Sequence, residues 1–157
     1  MSILILYASK HGCTEECAAK IAAQLGSSDV IHVRKADSPL LENYSTVILG
    51  GSIHAGRIQG RLRKFAEKNT SLLLTKKLGL FICCMEEGEK AEQQLQAAFP
   101  ASLRDHATVT ACLGGAFRFE RMNPLERAII RKISGTDTNV EKIDETKIGE
   151  FVKAMNG

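Results

Sequence analysis

Apolar residues in this chain gather into five short runs, and each run is nearly continuous rather than alternating with polar residues. Runs of this kind are typical of parallel strands that are buried on both faces of a sheet. The predicted strands cover Ser2–Tyr7, Asp29–Val33, Thr46–Gly51, Lys77–Cys84 and Ala107–Leu113. We therefore expect one five-stranded parallel sheet.

Between and after these runs, apolar residues recur at spacings of three and four, which is the periodicity of a helix with one buried face. The predicted helices cover Thr14–Leu25, Gly60–Lys68, Glu89–Phe99, Leu125–Ile133 and Glu145–Met155. Strands that alternate with helices in this way indicate βαβ units and an α/β fold.

The stretch after the fifth predicted strand departs from the alternation. Asn123-Pro124-Leu125-Glu126 supplies a cap residue, a first-turn proline and an acid at the third position, which together start a helix. Gly135 is well placed to end that helix. We interpret Ala116–Thr138 as a helical insertion that is added to the five-strand core.

Length and composition favour one globular domain over residues 1–157, with 44% hydrophobic residues. The first apolar run is short and has no basic leader, so we expect neither a signal peptide nor a transmembrane helix, and a cytoplasmic location. A net charge of +3 is too small to indicate nucleic-acid binding. The five cysteines have no zinc-ligand spacing, so we expect free thiols and no metal.

Candidate chemistry begins directly after the first predicted strand. Ser9-Lys10-His11-Gly12-Cys13-Thr14 places hydroxyl groups and a glycine where a helix begins. A helix's first turn has unpaired backbone N–H groups and the positive end of the helix dipole, so it can hold a phosphate. The same residues also suit ordinary helix capping, and both interpretations stay open. The segment matches neither the P-loop nor the dinucleotide pattern, which favours a monophosphate ligand.

Two further loops share the same edge of the predicted sheet. In open parallel sheets, ligands bind beyond the carboxyl ends of the strands, at the point where the strand order reverses. The loops that follow the third and fourth predicted strands are Gly51–Arg57 and Met85–Gly88. Glycines at both ends of the first of these loops suit a backbone that lies close against a flat ligand.

At these residues the chain resembles the flavodoxin-like FMN-binding proteins, whose phosphate loop has the form Ser/Thr-x-x-Gly-x-Thr/Asn. Residues 49–56 (Leu-Gly-Gly-Ser-Ile-His-Ala-Gly), 113–119 and 129–138 resemble the menaquinone-dependent protoporphyrinogen IX dehydrogenase branch of that family. That branch carries a long insertion after the fifth strand, and the resemblance extends over nearly the whole chain.

The resemblance implies a three-layer flavodoxin-like sandwich with sheet order 2-1-3-4-5, and FMN as the cofactor. It implies that the phosphate of FMN is held by Ser9, Lys10, His11, Gly12, Cys13 and Thr14. It also implies that the isoalloxazine ring lies between Ser52, Ile53, His54, Ala55 and Gly56 on one side and Cys84, Met85 and Glu86 on the other. No catalytic residue is assigned, because a bound flavin itself accepts the hydride.

The insertion is basic and apolar, and its candidate contacts with a substrate or a membrane are Phe117, Arg118, Arg121, Arg127 and Arg131. Such a helix can rest on the inner face of an anionic membrane, reach a membrane quinone, or bind the propionates of a porphyrinogen. It can equally pack on the sheet edge with its arginines solvated. The resemblance implies an oxidoreductase of heme biosynthesis with a porphyrinogen substrate and a quinone or redox protein as acceptor.

Two other functions stay open. One is an electron carrier that docks to redox partners through the ring loops, and the other is a flavodoxin-like scaffold that no longer binds flavin. The insertion and the mild positive charge favour an enzyme, since carriers of this family are usually acidic. The chain has no tryptophan, and Tyr7 and Tyr44 are its tyrosines, so the ring loops lack the aromatic stack of such carriers.

Overall fold

The computed structural model describes residues 2–54, 56–117, 122–134 and 140–157. Its strands in chain order are β1 (Ile3–Tyr7), β2 (Asp29–His32), β3 (Thr46–His54), β4 (Arg57–Ile58), β5 (Lys77–Cys83), β6 (Val109–Cys112), β7 (Ala116–Phe117) and β8 (Val140–Glu141). The five predicted strands correspond to β1, β2, β3, β5 and β6, so the expected elements of the sheet are confirmed.

These five strands run parallel in the order β2-β1-β3-β5-β6. The expected order 2-1-3-4-5 is therefore confirmed, because β4 is a short antiparallel strand that pairs with β3 outside this path. The order of the strands reverses between β1 and β3, because the chain moves from β1 to one edge of the sheet and from β3 to the other. A crevice therefore opens between the loops that follow these two strands.

Helices cover both faces of the sheet. They are α1 (Cys13–Leu25), α2 (Gly60–Lys68), α3 (Thr70–Leu73), α4 (Gly88–Ala98), α5 (Ala101–His106), α6 (Pro124–Ser134) and α7 (Glu145–Asn156), with 3-10 turns at Val33–Lys35 and Ser38–Asn43. The five predicted helices agree with α1, α2, α4, α6 and α7 to within one residue at each end. The others are too short to show a helical period in the sequence.

Alternate residues of the strands enter two separate cores. On one face, Leu4 and Leu6 of β1 belong to the core that contains residues of α2 and α4. On the other face, Ile5 and Tyr7 pack with residues of α1 and α7. The near-continuous apolar strands are thus buried from both sides, and the expected three-layer architecture is confirmed.

The third strand is longer than its pattern predicts. We expected it to end at Gly51, with Gly51–Arg57 as a loop, but β3 continues to His54 and turns back into β4. Ile53 pairs with Ile58 and His54 with Arg57 across this hairpin. The hydrophobic pattern ends the strand too early because residues 52 and 54 are polar. The returning strand β4 stabilises these two positions, and the pattern within β3 alone does not show this.

The insertion begins and ends in a small sheet of its own. Strands β7 and β8 pair antiparallel, with Ala116 opposite Glu141, and α6 lies between them in the chain. The candidate contact Phe117 lies on β7, whereas Arg118, Arg121 and the ring-loop residue Ala55 lie outside the described residues. None of the helices in the described ranges combines the length and the apolar content needed to cross a membrane.

Candidate functional site

Gly12 shapes the loop between β1 and α1. It precedes α1 with a φ of 89°, in the left-handed region that glycine adopts without strain. Its N–H donates to Ser9 Oγ at 2.9 Å, and its carbonyl accepts from the Glu16 N–H at 3.0 Å. Gly12 has no side chain that could cap α1. The other N–H groups of the first turn therefore receive no hydrogen bond from a capping side chain at this position.

Thr14 adds a buried hydroxyl to the first turn of α1. The residue is 0% exposed, and Oγ1 has no hydrogen-bond partner within the described part of the chain. A buried hydroxyl that stays unpaired costs on the order of 1–3 kcal/mol. An anion bound at this helix start would supply the missing partner, so the donor set fits a phosphate group.

The end of β3 is fixed by three polar side chains. Ser52 is 8% exposed, and its N–H donates to Gln59 Oε1 at 3.0 Å. Gln59 Nε2 donates in turn to Ser52 Oγ at 2.6 Å, which leaves the hydroxyl proton for His54 Nε2 at 3.0 Å. Gln59, which the sequence did not single out, therefore sets the position of two predicted site residues.

His54 is a neutral imidazole at this position. Burial, followed by the nearby charges of His11 and Lys10, lowers the pKa of His54 to about 4. Its ring meets the ring of His11 edge to face, with centroids 5.8 Å apart. At neutral pH the ring is therefore uncharged, and in the tautomer that carries its proton on Nδ1 the Nε2 atom accepts the hydrogen bond from Ser52 Oγ.

The loop that follows β5 lies against the segment that follows β6. The Cys84 N–H donates to the Gly114 carbonyl at 2.9 Å, and Cys84 Sγ lies 2.9 Å from Cys112 Sγ. A Cβ atom at Gly115 would lie 2.8 Å from the Cys84 carbonyl oxygen and 2.9 Å from Met85 Sδ. Only glycine lets these two segments approach so closely.

The loops after β1, β3 and β5 surround a pocket of about 370 Å³, a size that suits a small-molecule ligand. Gly12 and Thr14 do not contribute to its lining surface. The predicted site residues that line it are Ser9, Lys10, His11, Cys13, Ser52, Ile53, His54, Gly56, Cys84, Met85 and Glu86. The structure thus brings the three predicted loops together around one space.

A family profile covers most of this architecture. The family described as "Flavodoxin domain" matches residues 4–143, from β1 to just beyond β8. This chain belongs to the flavodoxin family. Membership implies a flavin, FMN, as the cofactor of the family's fold, and the buried donor set at the start of α1 fits the phosphate of such a group.

Curated relatives include protoporphyrinogen IX dehydrogenase (quinone) from Escherichia coli strain K12 and from E. coli O157:H7. Each is 27% identical to this chain over 154 residues, and the match covers 90% of this chain and 85% of the relative. The matched length includes the insertion as well as the sheet. This chain is therefore a distant homologue of these proteins.

Solved flavodoxins share the fold. The two-electron reduced flavodoxin of Megasphaera elsdenii superposes with a TM-score of 0.58 at 21% identity, over 70% of this chain and 84% of the other. Oxidised flavodoxin 1 of Bacillus cereus gives a TM-score of 0.52 at 23% identity, over 73% of this chain and 82% of the other. Both likenesses confirm the flavodoxin-like α/β fold.

Glu126 joins the insertion to the phosphate loop. Its Oε2 lies 2.9 Å from Lys10 Nζ and 2.8 Å from His11 Nε2. The hydrogen bond from Lys10 is the largest cause that lowers the pKa of Glu126 to about 2. The Glu126 N–H donates to Asn123 Oδ1 at 2.8 Å, so the predicted helix start is confirmed as a capping box.

The insertion also supplies apolar surface to the pocket. Met122 is 7% exposed and Ile129 is 48% exposed, and both line the cavity. Leu125, one helical turn before Ile129, is 70% exposed. Of the predicted contacts on α6, Arg131 is exposed and Arg127 is half-buried, and neither belongs to the pocket lining.

Several lining residues are absent from the sequence-based prediction. Gln94 on α4 carries a buried Oε1 that has no partner within the described part of the chain. The sequence pattern places Gln94 on a helix and gives no sign that it lines a pocket. Gly115, in contrast, belongs to a Gly-Gly pair that is visible in the sequence. The unpredicted lining residues are Cys83, Gln94, Gly115, Ala116, Met122, Glu126 and Ile129.

A second depression, of about 470 Å³, lies beside β2 on the outer side of the phosphate loop. It shares Ser9 with the first pocket, and its other walls include charged residues such as Glu15, Arg34 and Lys35. It lies away from the crevice where the strand order reverses. We therefore assign the candidate flavin site to the 370 Å³ pocket.

Proposed function

We propose that this chain is an FMN-dependent oxidoreductase that passes electrons from a reduced organic substrate to a quinone, similar to protoporphyrinogen IX dehydrogenase. The observation that supports this proposal most strongly is the wall that the insertion adds to the pocket through Met122 and Ile129. An apolar wall beside a flavin site suits a porphyrinogen or a quinone, since the ring systems of both are largely apolar.

In this proposal Ser9–Thr14 hold the phosphate of FMN through first-turn N–H groups and the Thr14 hydroxyl. Residues 52–56 and Cys84–Glu86 flank the isoalloxazine ring, and Gln94 Oε1 accepts a hydrogen bond from a ring N–H. When bound, FMN supplies a two-electron acceptor. These assignments use both buried polar atoms that lack a partner within the described ranges.

The chain's own residues position the reactants and exclude water. The Ser52–Gln59 hydrogen bonds hold His54 against the pocket as a neutral acceptor. Ile53, Met85 and Met122 give the pocket apolar walls. We assign no general acid or base, since hydride transfer to the cofactor needs none.

The basic face of α6 serves the substrate or the membrane in this proposal. Arg131 and Lys132 are exposed in the last turn of α6. Leu125 and Ile129 form an exposed apolar ridge on the same helix. Cations beside an apolar ridge suit the carboxylates of a porphyrinogen and an anionic bilayer surface. We place the protein in the cytoplasm, in peripheral contact with the inner face of the membrane.

An electron carrier is the second candidate. Gly56 and Glu86, which belong to the two ring loops, are both exposed, so a redox protein can approach this edge of the pocket. A carrier would exchange electrons through that edge and would need no substrate within the pocket. The two functions thus use different sides of the same site.

Flavin binding is tested first, by fluorescence titration with FMN and with riboflavin, which lacks the phosphate. FMN should bind at least tenfold more tightly than riboflavin, and Thr14→Val should weaken FMN by about tenfold, or about 1.4 kcal/mol, while riboflavin is unchanged. Thr14→Ser keeps the hydroxyl and serves as the matched control. Equal affinity for FMN and riboflavin in the unmodified chain would contradict the phosphate assignment.

Enzyme and carrier are then separated by turnover. The flavin-loaded chain is mixed without oxygen with protoporphyrinogen IX and a menaquinone analogue, and the porphyrin product is followed by its fluorescence. Turnover that depends on the quinone supports the enzyme. No porphyrin, together with rapid electron exchange with a flavodoxin reductase, supports the carrier instead.

A further inference from the structure

Two thiols meet at the ends of neighbouring strands, and one of them, Cys84, lines the pocket. Cys84 follows β5 and Cys112 ends β6, and their Sγ atoms are 2.9 Å apart. Ile82 is the register partner of Cys112, so Cys84, two residues further along, points to the same face of the sheet. A disulfide requires the two sulfur atoms to close to about 2.05 Å, a shift of less than about 1 Å.

The two thiols differ in reactivity. Cys112 is half-buried, and the hydrogen bond from Cys84, followed by the backbone of Gly114 and the charge of Lys147, lowers the pKa of Cys112 to about 6. Cys84 is 5% exposed, and its bond to Cys112 together with burial raises its pKa. At neutral pH, Cys112 is therefore the nucleophilic thiolate, and Cys84 is a protonated thiol at its side.

The other three cysteines form a contrasting cluster on the opposite face of the sheet. Cys13, Cys17 and Cys83 are all buried, and their sulfur atoms lie within 4.8 Å of one another. Hydrogen bonds among them and burial raise the pKa of Cys17 and of Cys83. The sulfur atoms of Cys17 and Cys83 lie 3.5 Å apart. All three thiols of this cluster are buried, whereas Cys112 is half-buried.

We propose that Cys84 and Cys112 form a reversible disulfide, with Cys112 as the attacking thiol and Cys84 as the resolving thiol. The oxidant is a low-molecular-weight disulfide of the glutathione class. Cys112 thiolate attacks one sulfur atom, and one glutathione thiolate leaves, so a mixed disulfide forms. Cys84 then loses its proton and displaces the second glutathione. Two protein thiols become one disulfide, and one oxidised glutathione becomes two reduced molecules.

This bond would link the Cys84–Glu86 loop, which lines the pocket, to the end of β6, three residues before the Gly115–Ala116 stretch that also lines it. The Cys84 N–H already bonds to the Gly114 carbonyl, so the covalent link would hold segments that are packed together in the reduced chain. The pocket wall would then respond to the thiol redox state of its surroundings. The inference does not depend on the proposed function, since it needs only the two thiols and the chain without flavin.

The test equilibrates the reduced, flavin-free chain with oxidised and reduced glutathione, then counts thiols by alkylation and intact mass. Two of the five thiols should disappear and return with dithiothreitol. Cys84→Ser should stop at a glutathione adduct on Cys112, whereas Cys112→Ser should form neither the adduct nor the disulfide. Cys83→Ala is the matched control, because position 83 adjoins Cys84 but faces the other core, and it should behave like the unmodified chain.

A second readout needs no variant. In the unmodified chain at pH 7, Cys112 should be the first thiol to be alkylated by iodoacetamide, with a rate that rises at a lower pH than the rate of an ordinary cysteine. Faster alkylation of Cys13, loss of the disulfide in Cys83→Ala, or five thiols that persist under oxidising glutathione would each overturn the proposal.

Discussion

The pocket has two walls of different construction. The sheet wall comes from the loops after β1, β3 and β5, which continue buried strands and are fixed by backbone and partly buried side-chain hydrogen bonds such as Ser52 to Gln59. The insertion wall comes from α6 and Met122, and it meets the phosphate loop through the partly exposed Glu126. The same cavity is therefore bounded by one side that continues the strands and by one side that the insertion adds.

The difference separates two tasks of the site. The sheet wall carries the features that fit a flavin, namely the start of α1 and the loops after β3 and β5. The insertion wall carries the exposed Leu125 and Ile129, which a flavin site does not need. We infer that the sheet wall decides which cofactor binds, whereas the insertion wall decides what reacts with it.

The largest expected effect is a pH dependence of folding stability that arises in the sheet wall. The pKa of His54 is about 4 in the folded chain against 6.5 ordinarily, so between these values the unfolded chain binds the proton more readily. Stability is therefore full above pH 6.5 and is lost as the pH falls to 4, by about 3 kcal/mol. His54→Gln should flatten this limb of the curve, measured as the urea midpoint from pH 7 to 4.

His106→Gln is the control for this experiment, because His106 is exposed at the end of α5, away from the pocket. It should keep the pH dependence of the unmodified chain. A limb that persists in His54→Gln but vanishes in the control would show that His54 is not held neutral by the sheet wall.

A second effect compares the two ends of one helix. Gly12 and Gly26 flank α1 with φ of 89° and 88°, so alanine strains either position by roughly 1–2 kcal/mol. Both variants should lose similar folding stability in thermal unfolding. Only Gly12→Ala should weaken FMN, by more than tenfold, because it deforms the sheet wall. A similar loss of FMN affinity in Gly26→Ala would mean that stability alone controls binding.

The sheet wall was largely predictable from the sequence, for a physical reason. Its residues follow long apolar runs, and topology alone brings the ends of parallel strands to one edge. The partners that fix it were not predictable, because Gln59 and Gln94 reach the site through side chains that leave no local pattern. The extra length of β3 was missed for the same reason, since β4 stabilises it from outside the run.

The insertion wall was predictable in its local chemistry and not in its placement. The start of α6 was predictable from Asn123, Pro124 and Glu126, because capping depends on residues that are neighbours in the chain. The contact of Glu126 with Lys10 and His11 joins residues more than a hundred positions apart, and no periodicity encodes it. The predicted role of the arginines in substrate or membrane contact stays a prediction.

The smallest expected effect tests how the insertion wall is attached. Glu126→Gln keeps an oxygen for the capping box but removes the charge that holds Lys10 and His11. The pKa of Glu126 lies at about 2 rather than 4.5, so its stabilisation is present above pH 4.5 and is lost as the pH falls towards 2. For so exposed a pair it amounts to about 1 kcal/mol or less, and the variant should flatten that acid limb.

The same substitution should tighten FMN binding by roughly twofold to fivefold at low salt, because Lys10 and His11 become available to the phosphate and a competing carboxylate is removed. Glu145→Gln is the matched control, since Glu145 pairs with Lys20 at 2.6 Å between α7 and α1, outside the pocket. It should leave FMN affinity unchanged. Weaker FMN binding in Glu126→Gln would show instead that the insertion wall helps to hold the cofactor, and the division of tasks between the two walls would then be wrong.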